Sequence, residues 1–257
     1  MGTSRPGSEI KTYVDGVPFY MAVWNHPLLD LLPVNGMGRI DVFKGPQPQA
    51  FGNTFGAIDL VPKRAGAADG VRGSVSGRAG SFSSVIEQAD VIGRQGAVDY
   101  AFAQGYARSD GHRDRAEGEL LNVMGQVGYR FSPAWTARFT VLHADNTARD
   151  PGHVVTLVGK GDRYDTEGQL GSLAVRHQTR VSDTELKVYY DRGKSVQDPG
   201  LTSEFTMSGA RLREESRPWK GGLLTGGLDL DQLSGTVDPV GFESPDLQIT
   251  SPLAAYP

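Results

Sequence analysis

From about residue 68 onward one pattern recurs: segments of about ten residues in which apolar and polar side chains alternate, separated by turn-rich breaks. A two-residue period gives a strand two unlike faces. The first pair, 71–80 and 85–93, alternates weakly. The third segment sets Val98, Tyr100, Phe102 and Tyr106 against Ala97, Asp99, Ala101, Ala103, Gly105 and Ala107. The fourth sets Leu121, Val123, Val127, Tyr129 and Phe131 against Asn122, Met124, Gln126 and Arg130. Trp135, Ala137, Phe139 and Val141 share a face in the fifth; Leu173, Val175 and Val181 in the sixth; Leu186, Val188 and Tyr190 in the seventh, opposite Glu185, Lys187 and Asp191. Segments 201–213, 223–233 and 247–255 are the eighth to tenth. The polar faces carry Arg, Lys, Glu and Gln, which cannot lie in lipid and suit a wet interior. The opposite faces suit a lipid-facing wall, with Tyr100, Tyr106, Tyr129, Phe131 and Trp135 placed for an interfacial girdle. A ten-residue strand tilted by about 45° covers about 23 Å of membrane normal, close to the apolar band of a membrane barrel.

The breaks alternate short and long. Arg94-Gln95-Gly96, Ser132-Pro133-Ala134, Val181-Ser182-Asp183 and Arg217-Pro218-Trp219 are tight turns; 109–118, 146–168 and 193–200 are longer, and 81–84 is a long-side break of minimal length. Outer-membrane barrels have short periplasmic turns and longer outer loops. The expectation is therefore a mainly β chain with antiparallel up-and-down transmembrane strands.

Composition agrees. Glycine is 34 of 257 residues and the apolar share is 38%, which suits many turns and strands needing small residues on one face. Net charge is −4 with the signs mixed, so no basic patch points to nucleic acid. Cysteine is absent, which excludes disulfides and thiolate metal sites. No apolar run is long enough for a membrane helix. No phosphate-binding loop, Gly-x-Ser-x-Gly or His-Glu-x-x-His occurs, and the five histidines are scattered, so neither an enzyme nor a bound cofactor or metal is expected.

Residues 1–64 differ in character. Arg39-Ile40-Asp41-Val42-Phe43-Lys44 alternates as a strand, and Gly45-Pro46 stops it, since proline offers no N–H to a ladder. Ala50-Phe51-Gly52 and Gly56 allow chain reversal, and Ile58 to Val61 reads as a second strand closed by Pro62. Val17 to Leu32 is apolar but broken by Pro18 and Pro27, which allows at most a short helix at 28–32.

This stretch, together with Tyr13-Val14-Asp15-Gly16-Val17-Pro18, resembles the plug domain of TonB-dependent outer-membrane receptors, with Asp41 where glutamate is usual and Lys44 where arginine is commoner. The resemblance implies the C-terminal part of a plug over 1–64 and the N-terminal part of a barrel over 65–257. About ten of an expected 22 strands would be present, leaving the barrel incomplete. It implies the outer membrane of a Gram-negative bacterium and energy-coupled uptake of a scarce ligand, a ferric siderophore first. The partners would be outer-membrane lipid, the ligand, often a metal chelate, and the TonB–ExbB–ExbD complex. The segment that contacts TonB, like the signal peptide, is expected upstream of this sequence.

Trp24, Asn25 and His26 would be ligand contacts facing the outer vestibule, or ordinary packing beneath a loop. His112 and Arg113 would be rim contacts for an anionic chelate, or a solvated loop. Arg39, Asp41 and Lys44 are candidate plug–barrel contacts, with Glu185 or Asp191 as partners for the two cations. The rival from another class is a secreted or periplasmic glycan-binding β-sandwich or solenoid.

Overall fold

The computed structural model of the protein describes residues 10–21, 26–27, 34–52, 54–152, 162–198, 200–239 and 247–256. The alternating segments form one ten-stranded antiparallel sheet, each strand paired with its neighbours in sequence. Its members are β7 (Gly70–Gly80), β8 (Ser84–Gln95), β9 (Val98–Ser109), β10 (Gly118–Arg130), β11 (Trp135–Asp150), β12 (Asp162–Gln178), β13 (Ser182–Asp198), β14 (Leu201–Ser216), β15 (Leu224–Pro239) and β16 (Leu247–Tyr256). Nearest-neighbour hairpins throughout are the up-and-down arrangement. The described residues place no second large sheet face to face with this one, as a sandwich requires. The rival reading is thereby set aside.

Register explains the outward face row by row. One cross-strand row is Val98, Tyr129, Ala137, Val175, Leu186, Leu212 and Leu228. The next is Tyr100, Val127, Phe139, Leu173, Val188, Ala210 and Leu230. Both are wholly apolar, and most of their larger members are exposed. Towards the short turns the band ends in Phe131, in T-shaped contact with Tyr129 at 4.8 Å, and in Trp135, stacked on His177 at 4.3 Å. Towards the long connections it ends in a row containing His143, Gln169 and Arg192. Tyr129, Phe131 and Trp135 thus belong to the girdle, whereas Tyr100 lies within the band, its ring laid across Gly93, where a Cβ would collide with it.

Two expected long breaks are shorter than the sequence suggested. β11 and β12 stay paired through Asn146↔Thr166 to Asp150↔Asp162, and β13 runs on to Asp198. These stretches are polar because both faces meet water beyond the lipid, but the ladder still satisfies their backbone groups. Loop 110–117 is present as expected.

The front of the chain forms a separate mixed sheet of order β2-β1-β6-β5. Here β1 is Ile10–Val14, β2 Val17–Pro18, β5 Met37–Phe43 and β6 Gly56–Pro62. A two-stranded pair, β3 (Tyr20–Met21) and β4 (His26–Pro27), and a one-turn helix α1 (Pro48–Phe51) complete it. The expected helix at 28–32 lies outside the described residues. Gly38 sits at the irregular pairing between Met37 and Arg39, and β5 is an edge strand with Ile40 and Val42 exposed. This front unit touches the large sheet at β8, through Lys63–Asp90 at 3.1 Å, and at β14, through Arg213 to the Ala50 carbonyl at 2.9 Å. Those strands would be about 29 Å apart in a flat sheet at ~4.8 Å per strand. The large sheet therefore curves around the front unit.

Candidate functional site

The seat between inner unit and wall begins at Asp15-Gly16. Both residues have positive φ, 53° and 73°, the pairing that a two-residue hairpin between β1 and β2 demands and that Asp-Gly supplies. The turn projects at the wall. There Lys187 donates to the Asp15 carbonyl and Arg211 to the Gly16 carbonyl. Lys187 also lies 3.7 Å from the Asp15 carboxylate, and Arg64 closes on it at 2.6 Å. From within the unit, the Gly16 N–H donates to Asp59 at 2.9 Å.

Lys187 and Arg211 are neighbours in an inward row: Asp99, Gly128, Arg138, Ala174, Lys187, Arg211, Asp229. Asp229 is held by Arg213 at 2.6 Å and Arg211 at 3.4 Å. Asp99 is held by Arg138 at 2.8 Å and Arg94 at 3.1 Å. Gly128 lets Asp99 and Arg138 meet across β10, since a Cβ there would lie 2.7 Å from the carboxylate. Arg211 also sits over the Tyr13 ring at 5.2 Å. Phe51 packs on Tyr13 at 4.6 Å and on Phe43 at 4.9 Å. Gly52, with φ of 63°, lets the chain pass Asp229. The aromatic-Gly motif is thus a filler and a close approach.

Farther from the short turns the inward rows change character. One reads Ala103, Met124, Leu142, Leu170, Asp191, Met207, Leu233. Met124, Leu142, Leu170 and Met207 form one core with Val14, Val17, Phe19, Tyr20, Met37 and Leu60 of the inner unit, and Leu233 packs against it. The inner wall is therefore not simply wet: a dry layer grips the inner unit above a charged one. Gly36 fits against it closely, since a Cβ there would lie 2.9 Å from Met124. Asp191 is the exception in its row. It is 0% exposed and, among the described residues, neither carboxylate oxygen has a hydrogen-bond partner.

The connection from the inner unit to β7 is tied down as well. Arg94 donates to the Gly66 carbonyl at 2.7 Å, and the Gly96 N–H donates to Asp69 at 2.9 Å. Below the seat, at the short-turn end, a cavity of ≈ 930 Å³ opens between Arg39, Lys63, Arg176, Glu185, Lys187 and Arg213.

The sequence candidates separate. Arg39 closes on Asp41 of its own strand at 2.8 Å and remains 67% exposed, not on Glu185 or Asp191. Positions i and i+2 share a strand face, so the nearest carboxylate takes the guanidinium. Lys44 is exposed and forms no ion pair among the described residues. Glu185 pairs with Lys187 at 3.4 Å instead. His112 meets Phe82 edge-on at 6.5 Å, and Arg113 donates to the Gly152 carbonyl at 2.8 Å, stitching loop 110–117 to the segment after β11. Trp24 and Asn25 lie outside the described residues, and His26 is placed only as backbone paired with Met21. Sequence reasoning passed over Lys187 and Arg211 as seat residues because their acceptors are backbone carbonyls, which no side-chain pattern reveals.

A sheet curved around a mixed-sheet insert matches solved structures across nearly the whole chain. The copper transporter OprC superimposes with a TM-score of 0.75 at 19% identity, covering 97% of this chain and 42% of that one. The fold is that of the TonB-dependent outer-membrane receptors. The ferric-catecholate import receptor Fiu of E. coli K12, closed form, gives 0.72 at 15% identity over 96% of this chain and 42% of its own. The ferric citrate transporter FecA, unliganded, gives 0.71 at 19% over 95% and 43%. The chain thus spans less than half the length of these structures. No family model and no curated protein matches. In this fold the inner unit is the plug and the large sheet is barrel wall.

The seat has an acid limb. Burial works against the Asp15 charge, but Lys187, Arg64 and Arg138 outweigh it and hold the carboxyl below the usual range. A depressed folded pKa gives stability that is present above the unfolded value of about 3.9 and lost as pH falls through the folded value. Asp59 has the opposite sign: burial raises it, so its cost at neutral pH is relieved in acid. In an Asp59→Asn background, plug seating is expected to weaken steadily below about pH 4, and adding Asp15→Asn should flatten that limb. Tyr13 fluorescence anisotropy is unsuited among nine tyrosines; the distance between spin labels on plug and wall is the readout.

Proposed function

We propose that the chain is part of a receptor that imports a scarce ligand across the outer membrane of a Gram-negative bacterium, a ferric siderophore in the first instance. The observation that carries this is the seat itself. A plug fills the concave side of a lipid-facing wall and is held by cations on turn carbonyls, contacts that break and re-form without covalent chemistry. The solved structures named as ferric-catecholate and ferric citrate importers support iron; the copper transporter supports a metal more broadly. Residues 1–64 are assigned to the plug and 65–257 to the wall, and the TonB–ExbB–ExbD complex supplies the pull. His112 and Arg113, on the long-loop rim, and Trp24, Asn25 and His26 are the proposed ligand contacts. No residue is assigned covalent chemistry.

The test uses the full-length reading frame in cells stripped of their own ferric-chelate receptors. Radio-iron presented as siderophore chelates is expected to accumulate only when TonB is present. Uptake of radio-copper without radio-iron would move the assignment to copper, and uptake of neither would overturn it.

A further inference from the structure

Beside the seat lies a second, smaller cavity. It encloses ≈ 200 Å³ between the plug residues Asp15 and Arg64 and the inner face of the wall, and it reaches the short turn at Pro133-Ala134. Five arginines line it: Arg64 from the plug side, Arg94 from β8, Arg130 from β10, Arg138 from β11 and Arg176 from β12. Among the described residues only three carboxylates do so, Asp15, Asp99 and Glu185.

Each of those carboxylates is already engaged. Asp99 lies 2.8 Å from Arg138 and 3.1 Å from Arg94. Asp15 lies 2.6 Å from Arg64 and 3.7 Å from Lys187, and Lys187 lies 3.4 Å from Glu185. Arg176 pairs with Asp183, which stands outside the cavity. With Lys187 and Asp183 included, six cations meet four carboxylates. One surplus charge arises because Asp99 serves two arginines. The other is Arg130, which is exposed and forms no ion pair among the described residues. On a concave, low-dielectric wall such a surplus concentrates anions.

Register brings the unpaired arginine to the others. Arg130 and Arg176 flank Thr136 in one inward row, and Arg138 follows Thr136 on the same face of β11. Arg130 and Arg176 start two strands apart, about 10 Å, so their side chains can close on an ion between them. The space is smaller than the about 300–1,000 Å³ of drug-sized ligand sites, and it faces inward, away from acyl chains. It suits a small, multiply charged oxyanion and excludes a bulky chelate or a lipid.

We propose that this cavity binds one small tetrahedral oxyanion of the phosphate type, and that the bound ion latches the plug to the wall. Its oxygens take charge-assisted hydrogen bonds from Arg130, Arg138 and Arg176 on the wall and from Arg64 on the plug side. Arg64 departs when the plug departs, so the ion binds the seated state more tightly and shifts the equilibrium towards it. The site does not depend on which ligand is imported.

Equilibrium dialysis of radiolabelled inorganic phosphate tests it, using the full chain refolded in a neutral detergent with strand content confirmed by circular dichroism. One saturable site is expected, with sulfate competing and chloride at matched ionic strength not competing. Arg130→Gln should weaken binding about tenfold, the worth of one charged hydrogen-bonding group. It should leave the plug–wall midpoint in chloride unmoved, since Arg130 has no partner to lose. Arg192→Gln, on the outer face, should leave phosphate binding unchanged. Saturating phosphate should raise the ratio of seated to unseated plug about tenfold at constant ionic strength, the differential affinity that one arginine supplies. The plug–wall spin-label distance in denaturant reads that rise, and in Arg64→Gln the rise should vanish whatever the starting midpoint. Absence of saturable binding, or wild-type affinity in Arg130→Gln, overturns the site. Saturable binding that leaves the wild-type midpoint unmoved overturns the latch.

Discussion

Replacing Arg211 with methionine is expected to unseat the plug. Three contacts go at once: the Gly16 carbonyl, the Tyr13 ring and one partner of Asp229. Arg211 and Asp229 are 6% and 3% exposed at their side chains, so the carboxylate left behind cannot be rescued by water. Breaking a buried pair on one side costs about 3–5 kcal/mol. Arg213 still holds Asp229 from the far side, which places the expected loss near the lower end. The chain has no cysteine, so spin labels at Ile40→Cys on β5 and Leu173→Cys on the outer wall give one clean distance. In a denaturant titration that distance should broaden well before strand content is lost, and earlier in the variant. Arg211→Met with an unchanged midpoint would mean that the turn carbonyls do not hold the plug.

The second large effect has the opposite sign. Asp191→Leu is expected to tighten the plug. The side chain sits between Leu170 and Met207 across the strands, in the layer that packs on Tyr20 and Leu60. A buried acceptor without a partner costs about 1–3 kcal/mol, and a carboxylate more. Leucine removes that cost and extends the apolar row. The plug–wall midpoint should therefore rise by at least about 1 kcal/mol, while Asp191→Asn, which keeps unpaired polar atoms, should gain less. On the proposed importer reading, a full-length protein carrying the same change should take up ligand more slowly, because a tighter seat would resist a pull on the plug. A destabilised Asp191→Leu would show that the carboxylate is satisfied in the folded protein.

What the sequence discloses follows from which solvent reads each face. Lipid tolerates almost nothing polar, so the outward rows through Tyr129 and Val127 are written in plain alternation, and the wall strands emerge in number and order. The sequence marks the Asp15-Gly16 turn only as part of the plug resemblance, although Asp-Gly is itself a residue pair that tolerates the positive φ found at both positions. The inward face answers to the plug instead of to a solvent. Lys187 looks like one polar lumen residue among several until the turn carbonyls arrive. Asp191 looks ordinary beside Glu185 until register sets it among Leu170 and Met207. The extensions of β11 to β13 are hidden for another reason: above the membrane, Thr166, Lys194 and Ser195 are compatible with strand or loop, and only pairing decides.

The central claim is a wall with lipid on one face and a plug on the other. Single cysteines at Val127, Phe139, Leu173 and Val188, and at Gln126, Thr140, Ser172 and Lys187, carry nitroxides in reconstituted vesicles. Collision with membrane-dissolved oxygen is expected to be high at the first four and low at the second four, alternating along each strand. Equal accessibility on the two faces, or high oxygen collision at Thr140 and Ser172, would contradict it.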